Sequence, residues 1–202
     1  LLSMIAAERG MVATFMPKPF ADKTGSGLHL HLSLTSGGSP TFPGDDDSRG
    51  LGLSETAYSF IGGILDHACA LQAVVAPTVN SYKRTGATTT ASGASWAPRT
   101  PTYGGNDRTH YIRVPDDQRV ELRGGDGSAN PYLAIAAALG AGIDGIKRSA
   151  DPGAIGAQGR STLPPTLLHA VDELEGDALV AGVLDAAGDG VATYFANLKR
   201  EE

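Results

Sequence analysis

Apolar and polar residues alternate from Leu28 to Leu34: Leu28, Leu30, Leu32 and Leu34 fall on one parity, and His29, His31 and Ser33 on the other. A strand turns successive side chains to opposite faces, so this pattern predicts a half-buried strand with leucines inward and a polar row outward. "RVELR" repeats the rule, with Val120 and Leu122 opposite Arg119, Glu121 and Arg123, and "THYIRVP" is a strand candidate just before it. Elsewhere the period is helical. "LLSMIAAERG" reads as a helix ending at Gly10, followed by a short strand, "MVATFM". Ser54 caps a long helix running to about Val75, with Tyr58, Ile61, Ile64 and Leu65 at helical spacing, and Pro77 stops it. Residues 80–101 read as irregular, rich in Thr, Ser and Gly. "SANPYLAIAAALGAGIDGIKR" predicts a helix with Pro131 near its first turn and a nearly all-apolar body that must be buried. A linker from Asp151 to Pro165 leads to two further helical stretches.

With 202 residues, 41% of them hydrophobic, the chain has material for one sizeable core. A net charge of −6 leaves no basic footprint for a nucleic acid backbone, which excludes that partner class. No apolar run reaches the roughly 18 to 20 residues of a membrane-spanning helix, and the opening residues lack the basic flank and longer apolar core of a signal peptide. A membrane partner is therefore not expected. The one cysteine, Cys69, excludes an internal disulfide framework, reads as a small buried hydrophobe and fits a reducing cytoplasm. The chain lacks an initiator methionine and opens already in helical pattern, which leads us to expect that an upstream segment is missing.

The polar row of the histidine strand is either an ordinary solvated face or a site, since imidazoles serve as metal ligands and proton carriers near neutral pH. Glu121 between Arg119 and Arg123 is likewise either an ion-pair ladder or an anion-handling site. Arg84, Arg108, Arg113, Arg119 and Arg123 crowd one stretch of an otherwise acidic chain. Guanidinium forks match carboxylates and phosphates in two-point contact, and an imidazole with a carboxylate suits a divalent cation that would neutralise phosphate oxygens. The combination points to phosphoryl chemistry. "TGSG" is no P-loop, because it lacks the Gly-Lys-Ser/Thr ending and leads into a strand. No Gly-x-Ser-x-Gly elbow is present, and Cys69 has no evident activating partner. His67 and His169 read as structural, while His110 lies nearer the arginines.

Four blocks in order, "KPFADKTGSGLHLHLSL", "NSYKR", "NDRTHYIRVP" and "RVELRGGDGSANPYLAIAAALGAGIDGI", resemble the signature blocks of the glutamine synthetase family. Its Thr-rich third region looks closer to the type III branch, which includes enzymes resembling γ-glutamylmethylamide synthetase. The resemblance implies an α+β fold: a curved, largely antiparallel sheet with the active site on its concave face, backed by helices. It also implies ATP-dependent joining of the glutamate side-chain carboxylate to ammonia through γ-glutamyl phosphate, with Mg2+ or Mn2+, in a cytoplasmic homo-oligomer built as a dodecameric double ring. Position by position, His29 and Glu121 match metal ligands, and His31 and Ser33 nucleotide contacts. Thr24, Gly25, Arg84 and Arg123 match the glutamate-binding positions, and Arg108, Arg113 and Arg119 match arginines that reach the phosphates. Arg108 and Arg113 are the expected catalytic pair.

Three departures stand against this pattern. Thr24 replaces the family's asparagine. The acidic flap residue expected six positions after Arg84 is Thr90, with no carboxylate between Asn80 and Asn106. The family's other metal-binding glutamates would lie upstream of Leu1. The expectation is thus a C-terminal part of a catalytic domain spanning 1–202, inactive alone. The alternatives are a γ-glutamyl-amine ligase using methylamine, ethanolamine or a polyamine, and a non-catalytic relative with a binding or regulatory role.

Overall fold

The computed structural model describes residues 1–86, 97–158 and 160–202. Its sheet is built from β1 (Leu30–Leu32), β4 (Tyr103–Gly104), β5 (Ile112–Asp116) and β6 (Arg119–Leu122) in the order β1-β6-β5-β4. All neighbours are antiparallel except β4 and β5. A two-stranded hairpin, β2 (Thr35–Ser36) with β3 (Ser39–Pro40), lies apart. The helices are α1 (Leu2–Ala7), α2 (Glu55–Asp66), α3 (Ala68–Val75), α4 (Val79–Thr85), α5 (Pro131–Arg148), α6 (Leu167–Gly176), α7 (Ala178–Asp185) and α8 (Val191–Arg200). The architecture is α+β, an open sheet backed by helices.

The parity seen in the sequence becomes burial. Leu32, Ile112, Val114, Val120 and Leu122 join one core with Leu71, Val75, Ala134 and Ala137 of the helices, while His29, His31 and Ser33 face outward. Cross-strand register places His31 opposite Glu121 and Arg113 opposite Glu121 on the other side, so one carboxylate stands between an imidazole strand and an arginine strand. The two-residue period puts these side chains on one face, and the register of β1, β6 and β5 decides which of them meet.

Several local expectations are corrected. Met11–Met16 form no strand, and α1 stops at Ala7, its chain turning through Gly10 at φ 65°. Ser54 does cap its helix, accepting from the Ala57 N–H, but the helix breaks at His67 into α2 and α3, bent by 73°. The segment read as irregular contains α4, opened by a reciprocal Thr78–Ser81 capping box. α5 buries a small-residue stripe of Ala134, Ala137, Ala138, Ala141, Gly142 and Gly145, yet Tyr132 is 84% exposed, so it is a one-faced helix. The last part of the chain holds three helices, because Asp177 ends α6 and caps α7 through the Leu179 and Val180 N–H groups. Cys69 is half-buried against Ser161. Among the described residues no single helix is long and apolar enough to cross a membrane.

His67 has the structural role read for it. Its Nδ1 lies 2.6 Å from Asp177 and its Nε2 3.2 Å from Asp144, tying the α2–α3 bend to α5 and to the α7 cap. The Asp177 hydrogen bond, helped by Asp144, outweighs burial and raises the imidazole above its ordinary value. Both ring nitrogens can donate only when charged. The pair therefore contributes stability that is whole below about pH 6.5 and is lost as pH rises through the elevated folded-state value. An NMR titration of the His67 ring should give a midpoint above about 6.5, and His67→Gln should remove this pH-dependent part of stability; a midpoint below it would contradict the assignment.

Candidate active site

Four cationic or imidazole side chains from three segments converge on Glu121. His29 Nδ1 is 2.8 Å from its Oε1 and His31 Nε2 3.7 Å from the same oxygen. Arg113 Nη1 is 2.7 Å and Arg123 Nε 3.6 Å from its Oε2. The carboxylate is 4% exposed although it belongs to the polar parity of β6, because the guanidiniums and imidazoles roof it. Burial alone would raise its carboxyl, but the Arg113 hydrogen bond and the nearby positive charges outweigh that and hold it below the usual carboxylate range. Burial, with the field of Arg123, lowers the His29 imidazole. Near neutral pH the two partners are thus an ionised carboxylate and a neutral imidazole.

Arg84 reaches the same place from α4. It is buried, and Nη2 donates to the Gly124 and Gly125 carbonyls at 2.8 and 2.7 Å. Gly27 lies where Arg84 and His29 approach: a Cβ there would sit 3.2 Å from His29 Nε2 and 3.5 Å from Arg84 Nη1. A side chain there would press on the His29 ring, which would have to give by a few tenths of an ångström. Burial lowers the Arg84 guanidinium, partly offset by the carboxylate of the fully buried Asp126. Among the described residues the buried Nε atoms of Arg84 and Arg123 have no hydrogen-bond partner. Unsatisfied buried cationic donors are costly and suit an anionic ligand.

The remaining predicted residues fall around this centre. Ser33 follows β1 on the exposed face with His31. Thr24 and Gly25 lie on the approach to β1, where a Cβ on Gly25 would meet the Arg84 Cγ at 2.9 Å. Arg108 is exposed, and its carbonyl accepts from Arg123 Nη1. Arg119 is not brought into the cluster; it pairs with Asp116 at 2.9 Å across the β5–β6 turn. Thr90 lies outside the described residues. Sequence reasoning missed Asn106, whose Oδ1 accepts from Arg113 Nε at 2.9 Å and also from Nη2, fixing the fork that faces Glu121. It stands first in the quoted "NDRTHYIRVP", which was the available signal.

The neutral imidazole and the ionised carboxylate are a donor set that suits a divalent cation. His29 Nδ1 and Glu121 Oε1, 2.8 Å apart and in contact with each other here, are near enough that both would hold one bound cation. Among the described residues no group of three or more His, Cys, Asp or Glu side chains gathers as a metal site, so these two form only part of one.

A family model for the glutamine synthetase catalytic domain matches residues 1–202. The chain belongs to the glutamine synthetase family. It is 43% identical to a glutamate–methylamine ligase of Methyloversatilis universalis over 98% of this chain and 47% of that protein. It is 41% identical to a glutamine synthetase of Rhizobium leguminosarum bv. phaseoli over 100% of this chain and 48% of that protein. Among solved structures it superposes on an ADP complex of GmaS with a TM-score of 0.88, at 51% identity, covering 100% of this chain and 47% of that one. A ligand-free GmaS gives 0.86 at 48% identity. The chain thus spans about half the length of the relatives it matches.

Proposed function

We propose that this chain is the C-terminal part of the catalytic domain of an ATP-dependent ligase that joins the glutamate side-chain carboxylate to ammonia through γ-glutamyl phosphate. The observation that carries the reading is the contact of His29 with Glu121 beside the buried guanidiniums of Arg84 and Arg123, whose Nε donors lack a hydrogen-bond partner among the described residues. A carboxylate resists attack by an amine until one oxygen becomes a leaving group, and transfer of the ATP γ-phosphoryl group supplies that. The catalyst must then hold two anions together. In this reading Arg84 and Arg123 hold glutamate beside the Thr24–Gly25 backbone. His31 and Ser33 contact the nucleotide, and Arg108, Arg113 and Arg119 steady its phosphates. Arg119 would have to leave Asp116 to do so, an exchange between exposed partners of small cost.

His29 and Glu121 would hold Mg2+ or Mn2+, which supplies charge neutralisation at the phosphates when bound. The working enzyme would be a cytoplasmic homo-oligomer, the dodecameric double ring of the resemblance. Arg84→Lys keeps a charge but cannot span both glycine carbonyls and substrate, so it should raise the glutamate KM by about a hundredfold, measured in the complete enzyme; an unchanged KM would remove Arg84 from the glutamate site.

A second reading changes only the acceptor, to methylamine, ethanolamine or a polyamine. It is favoured by the likeness to GmaS and to a glutamate–methylamine ligase, and by the lack of any carboxylate between Asn80 and Asn106. Glutamate-dependent ADP formation by the complete enzyme, compared for ammonium and a panel of amines, decides. A preference for ammonium supports the first reading and a preference for an amine the second; no glutamate-dependent turnover defeats both.

A further inference from the structure

Residues 17–26 form a loop closed on itself: Pro17 O accepts from the Ser26 N–H at 2.8 Å, and Lys18 Nζ donates to the Lys23 carbonyl across it. The tip is solvent-exposed, with Asp22 and Lys23 in contact only at 3.4 Å as a surface pair. The loop is tied to the body at its base. Asn80, in the first turn of α4, accepts from the Lys18 N–H through Oδ1 at 2.6 Å and donates to the Lys18 carbonyl through Nδ2 at 3.1 Å. One amide side chain thus satisfies both backbone groups of one residue, as a neighbouring strand would, which fixes the loop against sliding and against rotation. Lys18 is itself buried, so this base is also desolvated.

Asn80 and Arg84 are four residues apart on α4 and share a face of the helix. The second contact between loop and helix is at Arg84, where Gly25 rests on the arginine's stem: an added Cβ would meet Pro17 O at 2.5 Å and Arg84 Cγ at 2.9 Å. Two anchors one helical turn apart therefore set the separation between the Thr24–Gly25 backbone and the Arg84 guanidinium. We propose that Asn80 is a positioning residue: by clamping Lys18 it registers the Thr24–Gly25 backbone against Arg84, and so sets glutamate affinity without touching glutamate. The proposal rests on the reading above that both groups meet glutamate.

The test is steady-state kinetics of Asn80→Ala and Asn80→Asp in the complete enzyme. Loss of two hydrogen bonds should raise the glutamate KM about tenfold in Asn80→Ala, while kcat stays within about threefold and the ATP KM is unchanged. Hydrogen exchange of amides 18–25 should quicken in the same variant. Asn80→Asp keeps the acceptor for the Lys18 N–H and decides the matter, by the same glutamate-selective rise, if the alanine variant does not fold. An unchanged glutamate KM, a parallel rise in both KM values, or failure of both variants to fold would overturn the proposal and leave Asn80 a structural clip. An unaltered enzyme with no glutamate-dependent turnover is a separate failure, that of the ligase reading itself.

Discussion

Glu121→Gln in the complete enzyme is expected to cut glutamate-dependent ATP consumption by about a thousandfold or more. The carboxylate stands where His29, His31, Arg113 and Arg123 meet, so its removal takes away the anion that both guanidiniums approach and leaves them to repel one another. Stability should fall too. Arg123 is 3% exposed, and a buried charge left without its partner costs about 3–5 kcal/mol. The two effects separate by titrating the folded variant with Mn2+. Weakened binding places Glu121 in a metal site, whereas wild-type affinity with reduced stability makes it an ion-pair member alone. The carboxyl is held below its usual range, so its contribution is present above the unfolded value of about 4.3 and is lost as pH falls through the lower folded value.

The second large effect concerns folding. α2 and α5 cross with backbone against backbone at Gly63 and Gly145. A Cβ on Gly63 would lie 2.6 Å from the Gly145 nitrogen and closer still to the Ala141 carbonyl oxygen, and neither can swing aside as a side chain would. Gly63→Ala should cost about 3 kcal/mol or more, lowering Tm by about 6–12 °C. Gly182→Ala in α7, where nothing lies within 4 Å of the added Cβ, is the control and should be neutral or stabilising by up to about 1 kcal/mol. Equal behaviour of the two variants in thermal denaturation would refute the close crossing.

The strands of the site were legible because period two is local: the parity of Leu28–Leu34 and of Arg119–Arg123 determines which side chains share a face whatever the partner strand. That His29 would touch Glu121, far along the chain, was carried by the resemblance and not by any pattern. The break at His67 was hidden because "DHACALQAVV" continues an apolar helical run; its cause lies in Asp144 and Asp177, distant in sequence. α5 looked buried on all sides because its composition is apolar, yet its fully buried residues are all small and Tyr132 stays outside. α4 was missed although Thr78 and Ser81 carried a capping signal, since Thr- and Ser-rich composition outweighed it. Arg119 was grouped with Glu121 by parity, but a turn partner three residues away, Asp116, was nearer.

The pairing of β1 with β6 makes the site tolerant of change in only one kind of step. Inserting or deleting one residue ahead of Leu30 would present leucines where the histidines stand and drive the imidazoles into the hydrocarbon interior. A two-residue change would restore the facing but carry a different histidine to the carboxylate. Length variation among homologous proteins should therefore collect in the β2–β3 hairpin and the loop that follows it, and be purged between Gly27 and Leu32.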